Sequence, residues 1–198
     1  MNPCVLLAKS AVENYVKEKK IINLPENLPE EFLTKKSGAF ITIKKGGQLR
    51  GCIGTYLPTK ENIAKEIISN AIAAAAEDYR FGPIQEEELP FLSYTVYILN
   101  EPELVKNTKE LDPKKYGIIV KTLPISYPRP AGRGSPEGAA NTDVVFNGHT
   151  PPKSGLLLPD LEGVDTIEQQ ISIACQKGKI DPTEENILIY RFTVKKYT

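Results

Sequence analysis

Hydrophobic residues along this chain follow two different periods, and each period predicts a different kind of element. Spacings of three and four residues predict amphipathic helices over 3–19, 63–78 and 165–177. Alternation of apolar and polar residues predicts strands. The strands are expected over 40–44, 48–57, 93–99, 116–121, 155–159 and 187–197.

A glycine pair sets the direction of the first two strands. Gly46-Gly47 separates the runs 40–44 and 48–57, which is the pattern of a two-residue hairpin turn. Strands joined by a hairpin are antiparallel, so the chain is predicted to have an α+β fold. Thr59 is the expected N-cap of the second helix, and Asp165 with Glu168 is the expected capping box of the third.

Composition and charge then narrow the class of protein. The chain has 198 residues, 40% of them hydrophobic, which predicts one globular domain over 1–198. Lys plus Arg equals Asp plus Glu at 25 each, so there is no general positive field for nucleic acid, and nucleic-acid binding is disfavoured. No apolar run approaches the roughly 20 residues that cross a bilayer, and no basic segment precedes the apolar N-terminus. We therefore expect a soluble, cytoplasmic protein.

The cysteines and the single histidine carry no metal-binding pattern. Cys4, Cys52 and Cys175 are far apart, and His149 is the one histidine. This spacing argues for reduced thiols and against a zinc site. No glycine-rich phosphate loop is present either, so neither a metal nor a cofactor is expected, and the sequence leaves the oligomeric state open.

The segment 124–152 differs in composition from the rest of the chain. It contains six of the 16 prolines and no lysine. A segment of this length without regular elements is uncommon in a compact domain. We interpret it as an irregular insert or a long exposed loop.

Cys52 is the residue on which most of the candidate chemistry depends. In an extended strand, alternation places Arg50, Cys52 and Gly54 on one face and Gly51 on the other. A guanidinium close to a thiol favours the thiolate, which is the nucleophilic form. Gly51 and Gly54 leave bare backbone near the sulfur, which suits the close approach of a ligand or another strand.

A structural role for Cys52 stays open beside the catalytic one. A free cysteine is among the most buried residue types and commonly behaves as a small apolar side chain. Cys52 also lacks an obvious base, because His149 lies in the irregular segment and would have to fold back over the strand.

Charged residues after the second helix are further candidates for the site. Asp78 and Arg80 are placed to contact a ligand, although an ion pair or a helix cap also explains them. The run Glu86-Glu87-Glu88 is expected to be a solvated acidic face.

The run Leu49-Arg50-Gly51-Cys52-Ile53-Gly54 is identical to the signature hexapeptide of the AMMECR family, which this chain resembles along nearly its whole length. The segment 158–166 resembles the microbial branch called AmmeMemoRadiSam system protein A. Other features of the family occur along this chain in the family's order. They are 38–42, Asp78, Arg80, Phe81, 155–159 and 190–192.

This resemblance implies a fold and a set of partners. The implied fold is a two-lobed single domain with antiparallel β-sheets flanked by helices and the hexapeptide facing a cleft between the lobes. The implied partners are a Memo-like protein and a radical-SAM protein, and the biochemical activity of the family is not established. The segment 124–152 departs from the family pattern.

Two functions stay open at this point. In the first, the protein is an enzyme or accessory factor acting on a peptide, protein or other large substrate, with Cys52 and Arg50 as catalytic residues. Gly51, Gly54, Asp78 and Arg80 would then contact the substrate. In the second, the protein is a non-catalytic module that binds a protein or peptide, and Cys52 is structural.

Overall fold

The structure is a computed structural model that describes residues 2–123 and 152–198. Almost all of the expected insert 124–152, including His149, lies outside the described residues. The chain divides into two compact units, Met1–Pro102 with Phe192–Thr198, and Glu103–Arg191. The expected cleft between two lobes stays a prediction.

The first unit contains three helices and one four-stranded sheet. Its strands have the order β2-β1-β3-β8, and the three neighbouring pairs are antiparallel. A 3-10 helix, Glu86–Phe91, precedes β3. The elements are α1 (Pro3–Glu18), α2 (Glu30–Thr34), β1 (Ala39–Lys45), β2 (Gln48–Gly54), α3 (Ile63–Ala76), β3 (Leu92–Leu99) and β8 (Val194–Tyr197).

The described residues of the second unit form another four-stranded sheet and one long helix. Its strand order is β4-β7-β5-β6, with antiparallel pairing between β4 and β7 and between β5 and β6. Two antiparallel sheets with helices confirm the α+β prediction. The elements are β4 (Glu103–Leu104), a 3-10 helix (Thr108–Glu110), β5 (Gly117–Thr122), β6 (Ser154–Leu157), α4 (Ile167–Gly178) and β7 (Ile187–Phe192).

The core of the first unit lies between its sheet and the helices α1 and α3. Alternate residues of β1 point into it, so Ile41 and Ile43 are fully buried while Thr42 between them is partly exposed. Burial of such side chains from water supplies most of the favourable free energy of folding. The sheet therefore has an inner face against the helices and an outer face, and Thr42 belongs to the outer face.

The predicted hairpin is confirmed by its backbone. Gly46 and Gly47 have φ values of 57° and 83°, the left-handed region that a two-residue turn of this type requires. The returning strand ends at Gly54, three residues before the predicted end.

Two predicted helix caps are wrong by a few residues. Asn62, and not Thr59, caps α3, because its side chain accepts a hydrogen bond from the N–H of Lys65 at 2.9 Å. The capping box of α4 begins one residue later than predicted, at Thr166 with Gln169. Asp165 instead forms an ion pair with Lys114 at 2.7 Å.

The strand predicted over 187–197 is two strands in different sheets. It breaks at Thr193, whose carbonyl and hydroxyl accept hydrogen bonds from Asn100 at 2.9 and 2.7 Å. Each half belongs to a different sheet, because β7 pairs with β4 whereas β8 pairs with β3. Apolar alternation continues through Thr193, so the pattern alone could not reveal the break.

Within residues 2–123 and 152–198, no helix combines the length and the apolar character that crossing a membrane requires.

Candidate functional site around Cys52

A β-bulge changes the direction of Arg50. Ile43 and Lys44 are consecutive in β1, but their partners in β2 are Gly51 and Leu49. Arg50 is therefore the extra residue of a bulge, which interrupts the alternation of side chains and re-aims one of them. This register shift interrupts the simple alternation from which Arg50 was expected beside Cys52.

The Arg50 guanidinium binds the segment that follows α3. It donates two hydrogen bonds to the carboxylate of Glu88, at 2.8 and 3.0 Å, and one each to the carbonyls of Gly82 and Pro83. Lys45 also donates to Glu88, at 3.0 Å. Arg50 was the expected charge partner of the Cys52 thiol, but its guanidinium hydrogen-bonds to Gly82, Pro83 and Glu88. These bonds order the chain from Gly82 to Glu88.

Glu88 was not foreseen as part of the site. Only 14% of its side chain is exposed, which corrects the expectation that 86–88 is a uniformly solvated acidic face. The hydrogen bonds from Arg50 lower the pKa of Glu88 from 4.5 to about 2, and its partial burial acts in the opposite direction. Arg50 and Glu88 therefore form a charged pair with two parallel hydrogen bonds, a geometry that fixes both side chains.

The thiol of Cys52 lies on the outer face of the sheet. Its cross-strand partner is Thr42, and the Thr42 hydroxyl lies 3.3 Å from the sulfur. All three cysteines are described, and Cys52 alone is not buried. Burial raises the pKa of the Cys4 thiol to about 12 and also raises the pKa of Cys175. Cys52 is therefore the least buried of the three cysteines.

Asp78 and Arg80 hold the backbone of Cys52 from the open edge of β2. The Asp78 carboxylate accepts the N–H of Cys52 at 2.8 Å, and Arg80 donates to the carbonyl of the same residue at 3.2 Å. Arg80 also donates two side-chain hydrogen bonds to Asp78, at 2.7 and 2.9 Å. We call this arrangement the Asp78–Arg80 clamp. It supplies the two hydrogen bonds that a further strand would make at an exposed sheet edge.

The clamp places a buried charge beside the thiol-bearing strand. Asp78 is 3% exposed, and the hydrogen bonds from Arg80 lower its pKa from 3.8 to about 2. Burial opposes this change, whereas the N–H of Cys52 supports it. Asp78 is therefore ionised at neutral pH, and its oxygens accept hydrogen bonds from Cys52 and Arg80.

The clamp loop also exposes two aromatic side chains. Tyr79 lies between the two clamp residues and is 95% exposed, and Phe81 is 36% exposed. The guanidinium of Arg80 lies 5.2 Å from the centre of the Phe81 ring, within the range of a cation–π contact. The same hydrogen bonds that fix Cys52 therefore fix an aromatic loop.

Packing explains the two glycines of the hexapeptide. A Cβ atom on Gly51 would lie 2.2 Å from the carbonyl oxygen of Ala74 in α3, so this strand and this helix approach too closely for a side chain. A Cβ atom on Gly54 would lie 2.3 Å from the Phe40 ring. Their expected contact with a substrate stays a prediction.

A buried glutamate supports the end of the hexapeptide strand. Glu66 of α3 is fully buried and accepts hydrogen bonds from the Thr55 hydroxyl at 2.5 Å and from the N–H groups of Thr59 and Lys60 at 2.7 Å. Burial raises the pKa of Glu66, but these hydrogen bonds together outweigh it and lower the pKa. No sequence pattern distinguished Glu66 from the surface carboxylates of an amphipathic helix.

The described residues contain no group of three or more histidine, cysteine or acidic residues that could hold a metal ion. The polar side-chain groups described for this site are the Cys52 thiol, the Thr42 hydroxyl, two guanidinium groups and two carboxylates.

Comparison with known proteins gives the context of this site. The family model described as AMMECR1 matches residues 5–197. A protein of Thermotoga maritima is 45% identical over 197 residues, covering 99% of this chain and 97% of that protein. A protein of Clostridium acetobutylicum is 39% identical over 99% of this chain, which corresponds to 36% of that longer protein. A crystal structure of an uncharacterized protein from Pyrococcus horikoshii has a TM-score of 0.75 and 28% identity, covering 98% of this chain and 88% of that chain.

Two four-stranded antiparallel sheets with flanking helices define the class as an α+β protein. The family match and the Thermotoga relative identify one particular family within this fold class. This chain therefore belongs to the AMMECR1 family.

Proposed function

We propose that this protein binds a peptide or a partner protein through the surface formed by Thr42, Cys52, Tyr79, Arg80 and Phe81, which we call the Cys52 surface. The observation that carries the proposal is the clamp itself. The ion pair between the buried Asp78 and the partly exposed Arg80 holds the backbone of Cys52, and the loop that supplies it exposes Tyr79. Such rigidity lowers the entropic cost of binding.

The side chains of the Cys52 surface are of the types that dominate protein recognition. Tyrosine, other aromatic residues and arginine are enriched at interfaces and at their energetic hot spots. Tyr79 and Phe81 are already exposed, and Arg80 keeps 44% of its side chain exposed although it is bonded to Asp78. A partner can therefore bury these groups without breaking the clamp.

The nature of the partner follows from the resemblance to the AmmeMemoRadiSam branch. A Memo-like protein and a radical-SAM protein are the first candidates, and the function we propose is that of an accessory factor that holds a peptide or protein for them. Arg50 contributes indirectly, because its hydrogen bonds to Gly82 and Pro83 fix the end of the aromatic loop.

A second candidate function is catalysis by the Cys52 thiol. Its partial exposure beside the Thr42 hydroxyl favours this alternative, because the other two thiols are buried. The reaction requires a base, and His149, the histidine of this chain, lies outside the described residues. Binding and catalysis at this surface therefore need separate experimental tests.

Alkylation of the native protein tests whether the Cys52 surface is accessible. With iodoacetamide at neutral pH, we expect Cys52 to react much faster than Cys4 and Cys175, which serve as internal controls, when the sites are resolved by peptide mass spectrometry. A saturating partner should slow the reaction at Cys52. Equal labelling of the three cysteines would contradict the assignment of this surface.

Binding variants then separate the two functions. Tyr79→Ser should weaken binding to the purified candidate partner about tenfold or more, as expected for an aromatic hot spot. Phe91→Ser, which removes another aromatic side chain with 66% exposure, is the matched control. Cys52→Ser should bind like wild type if the protein is a binding module. If Cys52→Ser binds but abolishes conversion of a bound substrate, the thiol is catalytic.

A further inference from the structure

We draw no further inference here: the strongest candidate, the apolar groove between α3 and the segment that follows α1, is bordered by the exposed side chain of Ile21, but nothing in the described residues shows what covers it.

Discussion

Replacing Asp78 with alanine is the most direct perturbation of the clamp at Cys52. The substitution removes the acceptor of the Cys52 N–H, at 2.8 Å, and the ion-pair partner of Arg80, at 2.7 Å. Because Asp78 is 3% exposed, water reaches the vacated position poorly. The N–H of Cys52 then lacks a strong acceptor at the open edge of β2.

The size of the effect can be worked out from these contacts. A hydrogen bond from a backbone N–H to a charged acceptor contributes about 1.5–3 kcal/mol. An ion pair with an arginine side chain that is 44% exposed adds up to about 1 kcal/mol. We therefore expect Asp78→Ala to lower the free energy of unfolding by about 2–4 kcal/mol. Glu77→Ala, at the adjacent exposed carboxylate, should change it by less than about 0.5 kcal/mol.

Two measurements check this expectation at different scales. Urea unfolding followed by circular dichroism gives the change in global stability. Hydrogen exchange resolved at single amides reports on the clamp itself, and the Cys52 amide should exchange faster in Asp78→Ala than in wild type or Glu77→Ala. An unchanged exchange rate at Cys52 would refute the role of Asp78 in holding this strand.

The clamp also predicts a dependence on pH with a definite sign. The pKa of Asp78 is lowered in the folded protein, from 3.8 to about 2, so its contribution to stability is fully present above 3.8. That contribution is lost as the pH falls through this interval, because the carboxylate becomes protonated. The difference in stability between wild type and Asp78→Ala should therefore shrink as the pH is lowered from 3.8 towards 2.

Three further substitutions test other parts of the structure by urea unfolding. Gly51→Ala should cost about 1–3 kcal/mol or prevent folding, since its Cβ would lie 2.2 Å from the Ala74 carbonyl oxygen. Glu66→Ala should cost about 3–5 kcal/mol, because the Thr55 hydroxyl and the N–H groups of Thr59 and Lys60 lose their acceptor on a fully buried side chain. Thr166→Val should cost about 1 kcal/mol through loss of the α4 cap.

Each of these substitutions has a matched control. Ser93→Ala, at an exposed position of the same sheet, should be nearly neutral, and an equally neutral Gly51→Ala would contradict the close approach of β2 and α3. Glu66→Gln keeps one acceptor oxygen and should cost less than half as much as alanine. Asp165→Ala should cost less than Thr166→Val, and the opposite order would indicate that Asp165 is the cap.

The local elements of the first unit could be predicted from the sequence because their causes are local. The three- and four-residue spacing of apolar side chains predicted α1 and α3, whose burial confirms it. Gly46-Gly47 predicted the hairpin, because few other residues adopt two successive positive φ values. The hexapeptide likewise indicated Cys52 as the central residue of the candidate site.

The partners of the candidate site could not be predicted in this way. Arg50 and Glu88 are 38 residues apart, and Cys52 and Asp78 are 26 apart, so neither contact has a periodic signal in the sequence. A single bulged residue interrupts the alternation at Arg50, and the guanidinium binds Glu88, a partner that the sequence pattern did not indicate. Thr193 divided one apparent strand between two sheets through hydrogen bonds to Asn100, 93 residues away.

The sequence by itself determined the fold class, the turn and the cysteine at the centre of the site. The tertiary structure decided which charges meet, because a guanidinium or carboxylate is satisfied by whichever partner the packing brings within about 3 Å. That is why Arg50 binds Glu88, and why Asp78 and Arg80 together hold the strand that carries Cys52.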